Sequence, residues 1–117
     1  MEQGKEMKKA NTAVEYGSTA MYAYLHGNLI AAVTPEHLYL RSAGWETNTT
    51  KERLNGLLKW YGLPYRILQG NFRWYLVPSG GEPIAWEKAY MDEPTEELKT
   101  YKRFIAFDLS TLKLIEP

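Results

Sequence analysis

The stretch from Thr47 to Pro64 constrains the fold of this chain more tightly than any other part of it. Leu54, Leu57, Leu58 and Tyr61 recur at i, i+3, i+4 and i+7, which places them on one face of an α-helix. Thr49 and Glu52 have the spacing of a capping box, in which a hydroxyl and a carboxylate satisfy two backbone N–H groups orphaned at a helix start. Gly62 suits the left-handed residue just past a helix, and Pro64 cannot continue one. The pattern predicts a helix over about 50–61, entered from a loop that holds Gly44 and Trp45.

Around that helix the texture is that of short strands. Gly27-Asn28 and Gly70-Asn71 each separate two β-prone runs, and such pairs tolerate the positive φ that a tight hairpin requires. Leu38–Arg41 alternates as a further strand, and Ile84–Trp86 reads as a brief edge strand. Phe104–Phe107 and Leu112–Ile115 close the chain as strands around a turn. Pro94 followed by acidic residues has the look of a second helix start, which predicts a short helix over about 95–102. Residues 1–11 mix charged and small polar groups without a period and are expected to form a flexible tail. Residues 12–117 fit one domain, and the expected class is α+β: a mainly antiparallel sheet packed by one well-defined helix and one short helix.

Several kinds of chemistry are excluded by what the chain lacks. It has no cysteine, so disulfides, thiolate metal sites and thiol nucleophiles are ruled out. No apolar run reaches the roughly 18–20 residues needed to cross a membrane, and the first residues lack the apolar core of a signal peptide. A cytoplasmic location is expected. Fourteen basic and fourteen acidic side chains balance, which argues against a protein that coats duplex DNA. The charge is nevertheless uneven, with residues 41–66 mildly basic and 82–97 acidic, a polarity by which a partner can be docked.

No catalytic constellation stands out. His26 and His37 are the two histidines, and neither has a partner at metal-ligand spacing. There is no nucleophile elbow, P-loop or dinucleotide fingerprint. The carboxylates Asp92, Glu93, Glu96 and Glu97 read as a solvated helix start. No metal and no cofactor is expected. A small hydrolase built on His26 or His37 with an acidic partner would need groups that the sequence does not bring together.

Two surfaces of the predicted helix are candidate binding sites. Arg53, Gly56 and Trp60 share a stripe, and a glycine inside a helix costs about 1 kcal/mol relative to alanine. An indole beside an arginine and a bare backbone is the composition of a partner-binding hot spot. The competing account is that Trp60 widens the buried face and Gly56 makes room for a neighbouring strand. The second surface is the helix start, where Thr47, Thr49, Thr50 and Lys51, with Arg41 and Trp45 nearby in sequence, could hold an anion or a nucleotide at the positive end of the helix. Helix capping accounts for the same threonines. Strand aromatics (Tyr22, Tyr24, Tyr39, Phe72, Trp74 and Tyr75) beside Arg41, Arg66 or Arg73 would form a stacking platform for bases if they faced outward, and packing if they faced inward.

The run Gly44-Trp45-x-Thr47-x-Thr49-Thr50-Lys51-x-Arg53-Leu54-Asn55, with the strand before it and the Trp74-Tyr75 strand after it, resembles a group of small, uncharacterised bacteriophage proteins. The resemblance covers residues 23–77, and residues 82–117 read as an extension. It implies a phage origin and brings no activity with it. The reading that follows is a non-enzymatic binding protein acting on a host protein or a host defence system. The alternative is a protein that sequesters a nucleotide or single-stranded nucleic acid. No membrane partner is expected, and a homodimer is compatible with this much aromatic surface.

Overall fold

The computed structural model describes residues 12–44, 46–91, 98, 101 and 103–115. Among them, two antiparallel sheets enclose a core that is completed by one helix. The larger sheet runs in the order β1 (Thr12–Tyr16), β2 (Met21–Leu25), β3 (Asn28–Val33), β4 (His37–Leu40), β8 (Ile105–Asp108), β9 (Lys113–Leu114). The smaller consists of β5 (Tyr65–Gly70), β6 (Arg73–Pro78) and β7 (Ile84–Ala85), and a 3-10 turn over Trp86–Lys88 follows it. The helix α1 spans Asn48–Trp60, between β4 and β5 in the chain. The fold is α+β. The expected tail over 1–11 and the expected helix over 95–102 lie outside the described residues, apart from Leu98 and Tyr101.

Both expected hairpins form, each with its turn displaced by one residue. A two-residue turn that matches strand twist needs positive φ at both central residues. In β2–β3 these are His26 (φ 53°) and Gly27 (φ 80°), one residue before Gly27-Asn28. In β5–β6 they are Asn71 (φ 52°) and Phe72 (φ 65°), one residue after Gly70-Asn71. The pairing of Gly70 with Arg73 keeps the glycine in the strand and leaves a phenylalanine to adopt the left-handed conformation.

Helix α1 begins two residues earlier than Thr49/Glu52 spacing suggests. The cap is Thr47, whose Oγ1 accepts from the Thr50 N–H at 3.2 Å and lies 3.1 Å from the Thr50 hydroxyl. Thr50 is thereby buried, and Glu52 stays exposed without a capping role. The end follows expectation. Gly62 takes φ 71°, its N–H donates to the Lys59 carbonyl, and the Leu63 N–H donates to the Leu58 carbonyl. These two bonds form a Schellman motif, with Lys59 in the last turn where the helix dipole favours a cation.

The main core is filled by Leu54, Leu57 and Leu58 of α1, Ile67, Trp74 and Leu76 of the small sheet, and Leu38, Leu40, Ile105 and Phe107 of the large one. Trp74 and Trp86 meet edge to face, with centroids 5.2 Å apart, and neither indole N–H has a hydrogen-bond partner among the described residues. A second cluster lies on the opposite face of the large sheet, where Leu29, Ala32, Tyr39 and Ala106 are covered by Phe104 and Leu98. Strands β4 and β8 are therefore buried on both faces, which explains the unbroken apolar run Phe104-Ile-Ala-Phe. Residues 82–117, which lie beyond the stretch that carries the resemblance, supply the strand that pairs with β4 along its whole length.

Candidate functional site

The outward side of α1 holds the Arg53/Gly56/Trp60 stripe. Trp60 is 69 % exposed and does not widen the buried face. A Cβ placed on Gly56 would meet nothing within 4 Å, so the glycine makes room for no strand of this chain. Arg53 is partly buried, and its Nε donates to the Thr12 hydroxyl of β1 at 3.0 Å. At the other end of β1, Tyr16 is 70 % exposed. Burial, and then the nearby Tyr16 phenol, raise the pKa of the Tyr61 hydroxyl above its ordinary value. The stripe is thus bordered by β1, and Trp60 and Tyr16 are large exposed aromatics at that end of the helix.

Of the residues of the expected anion site, Thr47, Thr49, Thr50 and Lys51 share the start of α1, whereas Arg41 is engaged elsewhere. Thr50 is buried and bonded within the cap, and Thr47 is exposed but spends its hydroxyl on the same cap. Thr49 and Lys51 are half-buried, and Trp45 lies outside the described residues. Arg41 belongs to the other side of the large sheet. Its Nη1 donates to the Leu29 carbonyl at 2.9 Å, and its guanidinium lies 5.3 Å from the Tyr101 ring centroid and 5.7 Å from that of Phe104. Burial lowers its pKa, yet an arginine remains a cation there, held by ring faces and a carbonyl.

Asn55 occupies a position whose role the sequence does not reveal. Its Nδ2 donates to the Ile67 carbonyl at 3.0 Å, while its Oδ1 accepts from the Ile67 N–H at 2.7 Å. The carboxamide acts as a one-residue partner strand for the free edge of β5, which would otherwise present unpaired backbone groups. Beside it an open groove of about 780 Å³ runs between α1 and β5, lined by Lys59, Pro64, Arg66, Leu68, Val77 and the Gly80-Gly81 loop among others. No carboxylate lines it.

His37 lies opposite Asp108 across β4 and β8. Asp108 is engaged in capping the next turn: its Oδ1 accepts from the Ser110 hydroxyl at 2.6 Å, the Ser110 N–H at 2.8 Å and the Thr111 N–H at 3.1 Å. Those bonds, Ser110 first, hold the Asp108 carboxyl below its usual range, and His37 adds to the shift. Among the described residues no group of three His, Asp or Glu side chains could hold a metal ion. None of their helices is long and apolar enough to cross a membrane. Of the strand aromatics, Tyr39 and Trp74 are buried, Tyr22, Tyr24 and Tyr75 are half-buried, and Phe72 is 95 % exposed.

A family model described as Kyanoviridae Gp96 protein matches residues 1–102. No curated protein and no solved structure matches the chain.

Proposed function

The chain belongs to the Kyanoviridae Gp96 protein family, a family of phage proteins, and we propose on that premise that it is a non-enzymatic binding protein. Its target is a host protein or host defence component in the cytoplasm of the infected cell. Trp60 carries the reading: an indole 69 % exposed on the last turn of a helix whose other large apolar residues are largely buried. One turn earlier, Gly56 leaves the helix backbone open to close approach. An exposed aromatic anchor beside bare backbone is what a partner covers when it excludes water from a hot spot. Arg53, tied to Thr12, supplies the charged border of this face.

Two measurements separate this reading from a packing role. Gly56→Ala should raise the urea midpoint, equivalent to about 1 kcal/mol, because helix propensity improves and nothing opposes the new methyl. A loss of stability would mean that the glycine is structural. Affinity capture from a host lysate should then retain a specific protein on the wild-type chain. Trp60→Ala should weaken that retention by about thirtyfold, a typical hot-spot loss, with the circular dichroism spectrum unchanged. Equal capture by wild type, Trp60→Ala and Gly56→Arg would reject this face as the binding surface.

A further inference from the structure

Strands β5 and β6 present their two faces very differently. Ile67, Trp74 and Leu76 point into the core, so Arg66, Leu68, Arg73, Tyr75 and Val77 occupy the opposite face. The register sets Arg66 across from Val77, Leu68 across from Tyr75 and Gly70 across from Arg73. Each arginine is therefore the diagonal neighbour of a residue in the Leu68–Tyr75 pair. At Gly70 the backbone is bare, and the Tyr75 ring passes 3.9 Å from where a Cβ would stand. Six residues of strand make this face about 20 Å long, the span of a few nucleotides.

The hairpin tip is the least expected feature of this surface. Phe72 is 95 % exposed and holds φ 65°, a position where glycine would relieve strain and asparagine would tolerate it. A free-standing phenyl ring beside Arg73 gains nothing from the fold, since it contacts no core. The charge on the two strands themselves has one sign: β5 and β6 carry no acid, and the adjoining groove is lined by Lys59 of α1 and by Arg66 with no carboxylate, while the nearest acids of the small sheet, Glu82 and Glu87, flank β7.

We propose that this face, from Lys59 across Arg66 and Arg73 to the Phe72 tip, binds single-stranded nucleic acid. The observations favour that occupant over an acidic peptide. Cations alternating with Tyr75 and Phe72 match a polymer that repeats a phosphate and a flat base, whereas a peptide of carboxylates covers the charges and leaves the rings bare. A peptide added as an extra strand finds the middle of the β5 edge already taken by Asn55. The site is separate from the Trp60 face and does not depend on it.

The test is fluorescence anisotropy of the full chain with labelled thymidine and uridine dodecamers over a salt series. Micromolar binding is expected, with Phe72→Ala weakening it about tenfold through the lost stacking. Replacing both arginines, as Arg66→Gln with Arg73→Gln, should reduce the slope of log affinity against log salt by about 1.4, or roughly 0.7 per lost phosphate contact. Phe72→Gly should bind equally weakly while melting at the same or a higher temperature, so that the loss cannot come from unfolding. Trp60→Ala should bind as the wild type does. The proposal is overturned by absence of binding at about 100 µM protein in low salt, the weak end of non-specific association. It is overturned equally if Phe72→Ala binds unchanged, or if a polyglutamate peptide competes as well as the unlabelled dodecamer.

Discussion

Deleting residues 103–117 is expected to abolish cooperative folding. Strand β8 lies between β4 and β9, so its loss turns an internal strand of the large sheet into a bare edge. Ile105 and Phe107 leave the main core, and Phe104 and Ala106 leave the second cluster, all of them at most 1 % exposed in the folded chain. Truncating a single large core side chain costs about 2–5 kcal/mol, against a total stability of about 5–15 kcal/mol for a domain. Three such side chains vanish together here, along with a ladder of backbone bonds. The shortened chain should show no sigmoidal melt by circular dichroism and little amide dispersion by NMR. A sharp melt in the 1–102 chain, the stretch matched by the family model, would mean that β8 is dispensable.

Asn55→Leu should cost about 2–4 kcal/mol, read as a lower urea midpoint. The substitution keeps the size of the side chain and removes both bonds to Ile67. Ile67 is fully buried, and each backbone group stranded away from water costs about 1–3 kcal/mol. The leucine recovers part of this through apolar contact, which sets the lower end of the range. A midpoint within about 0.5 kcal/mol of the wild type would place Asn55 among ordinary surface substitutions.

The phage-like motif takes on a structural meaning from these contacts. Thr47 and Thr50 form the helix cap, Arg53 ties α1 to β1, Leu54 enters the core and Asn55 closes the edge of β5. A run that reads as a candidate binding sequence is in large part a set of ties between one helix and both sheets. Gly56 and Trp60 on α1 and Phe72 on its hairpin have no such role in the packing, and the proposed binding faces are built around them.

What the sequence determined by itself was local: the helix with its stripe and its Gly62 stop, both hairpins, and the strand character of Phe104–Phe107. Each of these is set by periodicity, φ preference or capping within a window of a few residues, where the competing conformations differ by identifiable local energies. Displacements of one or two residues, at Thr47, at His26-Gly27 and at Asn71-Phe72, arose because tertiary pairing chose among turns and caps of similar local cost. The tertiary structure alone decided that β8 lies inside the large sheet with β9 at its edge, that Arg41 is committed to Leu29 and the Tyr101 and Phe104 rings, and that Asn55 answers Ile67. Such contacts join residues 12 or more positions apart. Their energy exists only once distant segments are packed, and no local pattern in the chain encodes it.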